Sequence, residues 1–181
     1  MPEGSAVNVP ALPTLPLDPS HQPTQLQAMG PEFEFVMQAR VLIGPGRPIG
    51  NMGGTGQKLL VPLLGGDFEG PRLRGEILAG GAEWPLLRPD GIGTIDARYT
   101  FQTDDGVLLN IRNTGYRYGP SDVMERLAAK QEIVDPRSYY LRTWTVFEAP
   151  DGRYDWLSRH VFIGIGERQQ WVLFVRYYML H

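Results

Sequence analysis

Hydrophobic and polar residues alternate with a period of two along several segments of the chain. In the segment 32–43, EFEFVMQARVLI, one side of the alternation consists of Phe33, Phe35, Met37, Ala39 and Val41. A period of two over this length is typical of a strand with one buried face. Further strands are predicted at 59–64, 85–91, 138–148, 159–165 and 171–179.

The clearest hairpin surrounds the turn Asp104-Asp105-Gly106, because an Asp-Gly pair between alternating segments favours a tight turn. Before the turn, one face of segment 93–103 carries Ile95, Ala97, Tyr99, Phe101 and Thr103, and the other carries Thr94, Asp96, Arg98, Thr100 and Gln102. After it, Asn110 and Arg112 share one face, and Leu109, Ile111 and Asn113 share the other. One face of each strand is predicted to be core.

Segment 65–84, GGDFEGPRLRGEILAGGAEW, predicts a strand that is bent and interrupted by glycines. A glycine inside a strand marks a bulge, a barrel corner or the close approach of a ligand or backbone. The segment also carries Asp67, Glu69, Arg72, Arg74, Glu76 and Trp84. These side chains either line a cavity or form an ordinary exposed rim.

One helix is predicted, at 120–131, with Ser121 as its N-cap and an apolar stripe spaced by three and four residues. About nine or ten strands and one helix indicate an all-β fold. We therefore predict a single antiparallel β-barrel of about 8–10 strands with one short α-helix, because closing a sheet removes its exposed edges.

Two segments lie outside this pattern. Residues 1–30 contain six prolines and no alternation, which predicts a flexible arm ahead of a barrel domain at 31–181. Segment 46–58, GRPIGNMGGTGQK, resembles a phosphate-binding loop, but Leu59 follows where a serine or threonine would bind magnesium. A flap over the barrel opening or a plain hairpin loop are the two interpretations that stand.

Composition excludes several classes of function. The net charge of -3 and the absence of a basic run exclude a nucleic-acid binder. With no cysteine and three scattered histidines, no metal site and no cofactor are predicted. No apolar run reaches the length of about 18 residues that spans a bilayer, so we expect no membrane contact and a cytoplasmic protein.

The chain resembles a known family in three blocks. These are GGDFEGPRLRGEILAGGAEWPLLRPDGIGTIDARYTFQTDDGVLLNIRNTG, VDPRSYYLRT and YDWLSRHVFIGIGER. Together they are similar to the DUF3237 family, also called UPF0311, over about residues 32–180. The resemblance implies a compact β-barrel and carries no specific activity.

Charged and aromatic side chains on alternate strand faces predict a site inside the barrel. The predicted catalytic residues are Asp96, Glu76, Tyr140 and Arg142. The predicted substrate-binding residues are Glu69, Trp84, Arg98, Asn110, Arg112 and Trp144. A carboxylate held in an apolar barrel has a raised pKa and acts as a general acid or base, and a nearby Arg or Tyr holds a developing oxyanion. Aromatic walls from Trp84, Tyr99, Tyr140 and Trp144 favour an aromatic ligand.

Three hypotheses about function follow from this site. The first is a cofactor-free isomerase, cyclase, dehydratase or lyase of secondary metabolism that acts on a small aromatic or polyketide-like molecule. The second is a non-catalytic carrier barrel, in which the charged groups are paired with one another. The third is a purely structural oligomer without a cavity. Exposed strand edges and the proline-rich arm also predict a homodimer.

Overall fold

The structure is a computed structural model and describes residues 30–181. Positions 1–29 of the predicted proline-rich arm lie outside the described residues. The strands are β1 Phe33–Ile43, β2 Arg47–Asn51, β3 Gln57–Glu69, β4 Arg74–Ile77, β5 Ala82–Glu83, β6 Leu86–Leu87, β7 Gly93–Thr103, β8 Leu108–Tyr118, β9 Tyr140–Glu148, β10 Val161–Gln169 and β11 Val172–Leu180. The helices are the α-helix α1 Ser121–Ala129 and two 3-10 turns, Pro136–Ser138 and Asp155–Arg159.

The strands close into a barrel because β1 pairs with a strand on each side. It runs antiparallel to β11 and to β3, so that Ala39 lies opposite both Val175 and Phe68. The remaining order is β11-β10-β9-β8-β7-β4-β3. Strands β4, β5 and β6 occupy successive parts of one position between β3 and β7, which makes eight positions in all. The predicted antiparallel barrel with one helix is confirmed.

The first strand departs from the predicted alternation at a β-bulge. The register with β11 shifts between Phe35 and Met37, and both Val36 and Met37 are fully buried. A bulge places two residues opposite one and turns the strand. The alternation predicted for 32–43 is therefore wrong at its first part, and Phe33 lies half exposed.

The barrel interior is divided along its length into a filled half and an open half. Aromatic rings fill the first half: Phe68 stacks on Phe101 with ring centres 4.3 Å apart, and Phe147 meets Phe162 edge-on at 4.8 Å. Next to these rings lie Tyr154 and Leu157, also buried, at the 3-10 turn after β9. Aromatic packing of this kind contributes much of the stability of a small core. The open half carries the cavity described below.

Helix α1 packs beside the open half. Its buried residues Val123 and Leu127 belong to a cluster with Leu141, which lines the cavity. The prediction that Ser121 is the N-cap is wrong, because Ser121 already lies in the first turn and Pro120 occupies the cap position. The helix ends at Ala129 and is capped by Lys130, whose φ of 58° is left-handed.

The glycine-rich segment 46–58 is a hairpin, as one of its two interpretations predicted. Strand β2 pairs with the start of β3, with Arg47 opposite Leu60 and Asn51 opposite Gln57. The Asn51 side chain accepts a hydrogen bond of 3.0 Å from the backbone of Gly54 and closes the turn. This hairpin borders the open half of the barrel, because Leu59 lines the cavity.

The glycine-rich segment 65–84 contains the interruption that the sequence predicted. It comprises the end of β3, a turn, β4, a second turn and β5. In the second turn Gly80 has a φ of +107°, and a Cβ on Gly81 would lie 2.5 Å from the Cβ of Tyr99. Glycine is required here because the chain crosses directly over β7 before it enters β5.

Candidate active site

The open half of the barrel encloses a cavity of about 200 Å³. We call it the lumen cavity. Its wall is mainly aliphatic and includes Val41, Leu59, Val61, Ile95, Leu141 and Val175. A dry apolar cavity of about 150 Å³ is enough to hold benzene. The lumen cavity therefore has room for a small molecule of one or two rings.

A layer of hydrogen-bonded polar side chains separates the cavity from the aromatic half. The hydroxyls of Tyr99 and Tyr177 lie 2.6 Å apart. Asn113 donates from Nδ2 to both hydroxyl oxygens, at 2.5 Å to Tyr99 and 2.8 Å to Tyr177. Tyr99 and Asn113 line the cavity, whereas Tyr177 is completely buried behind them. We call these three residues the polar layer.

The hydrogen bonds of the polar layer leave one hydroxyl proton for the cavity. The Asn113 amide is oriented by Thr145, which donates to its Oδ1 at 2.5 Å. The hydroxyls of Tyr99 and Tyr177 both accept from Asn113, and either hydroxyl can donate to the other. Within residues 30–181 the completely buried Tyr177 hydroxyl has no other hydrogen-bond partner, so its proton is satisfied when it donates to Tyr99. In that arrangement Tyr99 accepts two hydrogen bonds, and its own proton has no acceptor among residues 30–181 and is available to a molecule in the cavity.

Both tyrosines of the layer are neutral phenols at ordinary pH. Burial raises the pKa of Tyr177 to about 12, although its hydrogen bonds with Tyr99 and Asn113 partly oppose this. Burial, and then the neighbouring Tyr177, raise the pKa of Tyr99 well above its usual range. Tyr99 therefore acts as a hydrogen-bond donor rather than as a base.

Glu83 is the carboxylate that lines the lumen cavity. It lies in β5 opposite Val61 and Ala97, and Ala97 in turn lies opposite Asn113, so Glu83 is level with the polar layer. Burial raises the pKa of Glu83, more than the nearby charges of Arg117, Arg168 and Lys58 lower it. The charge of Glu83 also contributes to raising the pKa of Tyr99, as expected for two groups facing one cavity.

Three cationic side chains also line the lumen cavity: Arg117, Lys130 and Arg168. We call them the basic rim. Burial, followed by the charge of Arg117, lowers the pKa of Arg168 to about 10. Burial and the two arginines lower the pKa of Lys130, whose ammonium lies 3.7 Å from the ring centre of Trp171. The rim therefore concentrates positive charge where solvent screens it weakly.

Comparison with known proteins supports the same fold. Residues 31–180 match the family DUF3237, whose description is "Protein of unknown function". This chain belongs to the DUF3237 family. It is 36% identical over 137 residues to a UPF0311 protein of Rhodopseudomonas palustris strain TIE-1, an alignment that covers 76% of this chain and 88% of the relative.

Solved structures of similar proteins show the DUF3237 barrel as well. A conserved protein of unknown function from Rhodopseudomonas palustris is 31% identical, with a TM-score of 0.81 over 84% of this chain and 99% of the other. A protein described as an enzyme from Penicillium herquei is 21% identical, with a TM-score of 0.64 over 84% of this chain and 96% of the other. At 21% identity, the similarity to the fungal protein shows a shared fold alone.

The four residues predicted as catalytic do not line the cavity of this DUF3237 barrel. Asp96 lies 3.5 Å from Arg112 with both side chains partly in water, and Glu76 is exposed. Tyr140 is exposed and stacks on Tyr118, with ring centres 4.8 Å apart. The prediction that they converge on the lumen is wrong because the opposite face of each strand turns inward.

Arg142 lies in a different depression, which we call the outer groove. This groove, of about 620 Å³, is formed outside the barrel wall and also contains Arg137, Glu167 and Arg176. The Arg142 guanidinium donates to the backbone carbonyl of Leu141 at 2.8 Å. The outer groove is separate from the lumen cavity except where Gly166 contributes to both.

The six residues predicted to bind substrate also lie outside the cavity lining. They are Glu69, Trp84, Arg98, Asn110, Arg112 and Trp144. Asn110 bonds instead to Thr100 and Glu148 on the barrel exterior. Of the four predicted aromatic walls only Tyr99 lines the cavity. The predicted position of these residues on the wall of the lumen is therefore wrong, because they lie on the other side of the barrel wall.

Asn113 lines the cavity but is not among the predicted site residues, and Tyr99 is predicted only as an aromatic wall. The sequence does carry a signal for both, because Tyr99 shares its strand face with Phe101 and Asn113 shares its face with Ile111, and a polar group on an otherwise apolar strand face indicates a buried hydrogen-bond network. Glu83, Lys130 and the two arginines of the rim carried no such signal. Their elements are short or lie at strand and helix ends, where alternation is not readable.

Two negative findings apply to residues 30–181. No three His, Asp or Glu side chains there lie close enough together to bind a metal ion. No helix in the same range has the length and apolar character needed to cross a bilayer.

Proposed function

We propose that this protein is a cofactor-free acid/base enzyme that transfers protons on a small aromatic or polyketide-like molecule in the lumen cavity. One observation carries the proposal: the Glu83 carboxyl and the Tyr99 hydroxyl face the same apolar cavity. Isomerisation, cyclisation, dehydration and lyase-type cleavage all need such a pair, one group to move a proton and one to hold an oxygen.

Glu83 is the proton-transfer group in this proposal. Its raised pKa brings it nearer to neutral pH, where a carboxyl group serves both as base and as acid. It removes a proton from a carbon next to a ring carbonyl, and the electron pair moves onto the carbonyl oxygen. The protonated Glu83 then returns the proton to another position of the same molecule, so no outside reagent is consumed.

Tyr99 stabilises the oxygen that gains charge in that step. When Tyr177 donates to Tyr99, the Tyr99 proton has no acceptor among the described residues, and the Tyr99 oxygen is held by Asn113 and Tyr177. Because the donor is already oriented, little reorganisation is needed when charge develops. The raised pKa of Tyr99 keeps its hydroxyl protonated, so that it donates a hydrogen bond to the enolate.

A carrier barrel is the second candidate, and the wall of the cavity favours it. Most lining residues are aliphatic, and the Asn113 amide is already bonded within the protein. A carrier needs only an apolar cavity with one or two orienting polar groups. The fungal protein of the same fold that is described as an enzyme agrees with the catalytic candidate at the level of fold alone.

Exchange of substrate protons with D₂O separates the two candidates without knowledge of the natural substrate. The probes are 1-tetralone and 1-tetralone-6-carboxylate, which are bicyclic aromatic ketones with exchangeable protons at C2. We expect the protein to accelerate exchange on at least one probe, measured by ¹H NMR. Glu83→Gln is expected to reduce the accelerated rate by a factor on the order of 10² or more, the usual contribution of a general base.

Glu76→Gln is the matched control, because it makes the same change at an exposed position of the same segment. It is expected to exchange like the unmodified protein. A probe that binds without exchange would support the carrier. Equal exchange rates in the unmodified protein and Glu83→Gln would contradict the catalytic role of Glu83, and neither binding nor exchange on either probe would overturn the proposal.

A further inference from the structure

Within residues 30–181 the basic rim has no anionic partner that matches its charge. Arg117, Lys130 and Arg168 line the lumen cavity together with a single carboxylate, that of Glu83. Among the ion pairs formed within residues 30–181, none includes a member of the rim. The other arginines of the barrel wall include several in exposed pairs, such as Arg40 with Asp67.

The charges of the rim destabilise the folded protein unless an anion offsets them. Arg168 and Lys130 are partly desolvated, and both are disfavoured in their charged forms by Arg117. The Nε atom of Arg117 is buried and has no hydrogen-bond partner in the part of the chain that the structure describes. Buried cations and unpartnered donors are normally compensated by an acceptor or an opposite charge. Because all three rim residues line the lumen cavity, an anion bound in that cavity is positioned to supply the opposite charge.

The rim and the polar layer lie at two levels of the cavity. Arg117 is opposite Gly93 at the beginning of β7, whereas Asn113 is opposite Ala97. Four residues of strand separate Asn113 from Arg117, about 13 Å at roughly 3.3 Å per residue. Since side chains four apart in a strand point the same way, both reach into one cavity from the two levels. Arg168, opposite Leu173, brings a second cation from β10.

We infer that the lumen cavity binds an aromatic carboxylic acid, with its carboxylate at the basic rim and a ketone or hydroxyl oxygen at Tyr99. The ring lies between them among the aliphatic side chains. This inference rests on the lumen being the substrate site of the proposed function, and it adds the chemical class and the orientation of the substrate. Guanidinium groups are suited to a carboxylate because they bind it through two parallel hydrogen bonds.

The test compares a carboxylate with its uncharged amide. The probes are 1-tetralone-6-carboxylate and 1-tetralone-6-carboxamide, which have the same ring, the same ketone and nearly the same size. Their dissociation constants are measured by isothermal titration calorimetry on the full chain. We expect the carboxylate to bind about tenfold or more tightly than the amide, as a charge-assisted pair in a screened-off site predicts.

Substitutions at the rim locate the origin of that preference. In Arg168→Met and in Arg117→Met the ratio of the two dissociation constants is expected to fall at least about fivefold, as expected when one charged donor is removed. Arg137→Met is the matched control, since it removes the same charge from an exposed arginine outside the lumen cavity. It is expected to leave the ratio within about twofold. Thermal unfolding of each variant without ligand checks that its fold is intact.

Each outcome decides the inference. A carboxylate preference that is lost at the rim and kept in Arg137→Met supports it. Equal binding of the two probes, or a preference that survives in the double variant Arg117→Met/Arg168→Met, overturns it and leaves the lumen as a ligand site. Absence of binding by both probes, together with absence of proton exchange, overturns the proposed function as well.

Discussion

On the outer face of β7 and β8, Asp96 and Arg112 lie 3.5 Å apart with side chains that are partly in water. On the inner face of the same two strands, Asn113 donates a hydrogen bond of 2.5 Å to Tyr99 within a buried layer. The outer pair carries full charges but is partly exposed to water, whereas the inner pair is uncharged and buried. Exposed ion pairs contribute little because water screens them, whereas buried polar groups are expensive to leave unpaired.

This difference shows why residue type alone does not identify the site. Glu76 and Glu83 lie in the same interrupted segment, yet only Glu83 lines the cavity and has a pKa raised by burial. Chemistry follows from desolvation and from the direction of a side chain. Paired substitutions on the two faces of the wall therefore test the comparison directly.

The largest expected effect is on stability, at Asn113. Asn113→Leu leaves the hydroxyls of Tyr99, Tyr177 and Thr145 without their shared partner, and we expect a loss of about 3 kcal/mol in the free energy of unfolding. Asn110→Leu on the outer face of the same strand is expected to change it by less than about 1 kcal/mol. Urea denaturation measures both, and equal losses would show that the polar layer has no special weight.

The second effect is on ligand binding, at Tyr99. Tyr99→Phe removes the proton that is available to the ligand oxygen, and we expect 1-tetralone-6-carboxylate to bind about tenfold more weakly. Tyr140→Phe makes the same change on the exposed outer face and is expected to have no effect on the dissociation constant. Calorimetry measures both variants. Unchanged affinity in Tyr99→Phe would contradict the assignment of the free proton to Tyr99.

The third effect is on the pH dependence of stability, at Glu83. Because its pKa is raised in the folded state, the charged carboxylate destabilises the fold, and stability falls as pH rises from the ordinary glutamate pKa through the raised one. Glu83→Gln is expected to raise the melting temperature at pH 7 and to lose that advantage below about pH 4. Glu76→Gln is the control, and an advantage for Glu83→Gln that persists at low pH would argue against this cause.

The smallest expected effect is at the outer ion pair. Arg112→Gln removes the partner of Asp96 and is expected to change the free energy of unfolding by less than about 0.5 kcal/mol, as for most exposed pairs. Arg98→Gln, at an exposed position on β7, gives the reference for loss of one positive charge. A loss above about 1.5 kcal/mol in Arg112→Gln alone would mean that the outer face stabilises the barrel far more than exposed pairs normally do.

Local patterns in the sequence determined most of the fold. Alternation in 93–103 and 107–113 around Asp104-Asp105-Gly106 predicts β7, β8 and their turn, because period and turn chemistry depend on neighbouring residues. The same is true of the single helix and of the barrel class. Alternation also separated the two faces of β8 correctly, with Asn113 beside Ile111.

Only the tertiary structure decided which face lines the cavity and which charges meet there. A period of two defines two faces but does not say which one turns inward, and the charged faces were the outer ones. Glu83 lies in a strand of two residues, and its direction is set by distant pairing with Val61 and Ala97. Arg117, Lys130 and Arg168 come from two strands and a helix end, and they become neighbours because closure of the barrel brings distant parts of the chain to one opening.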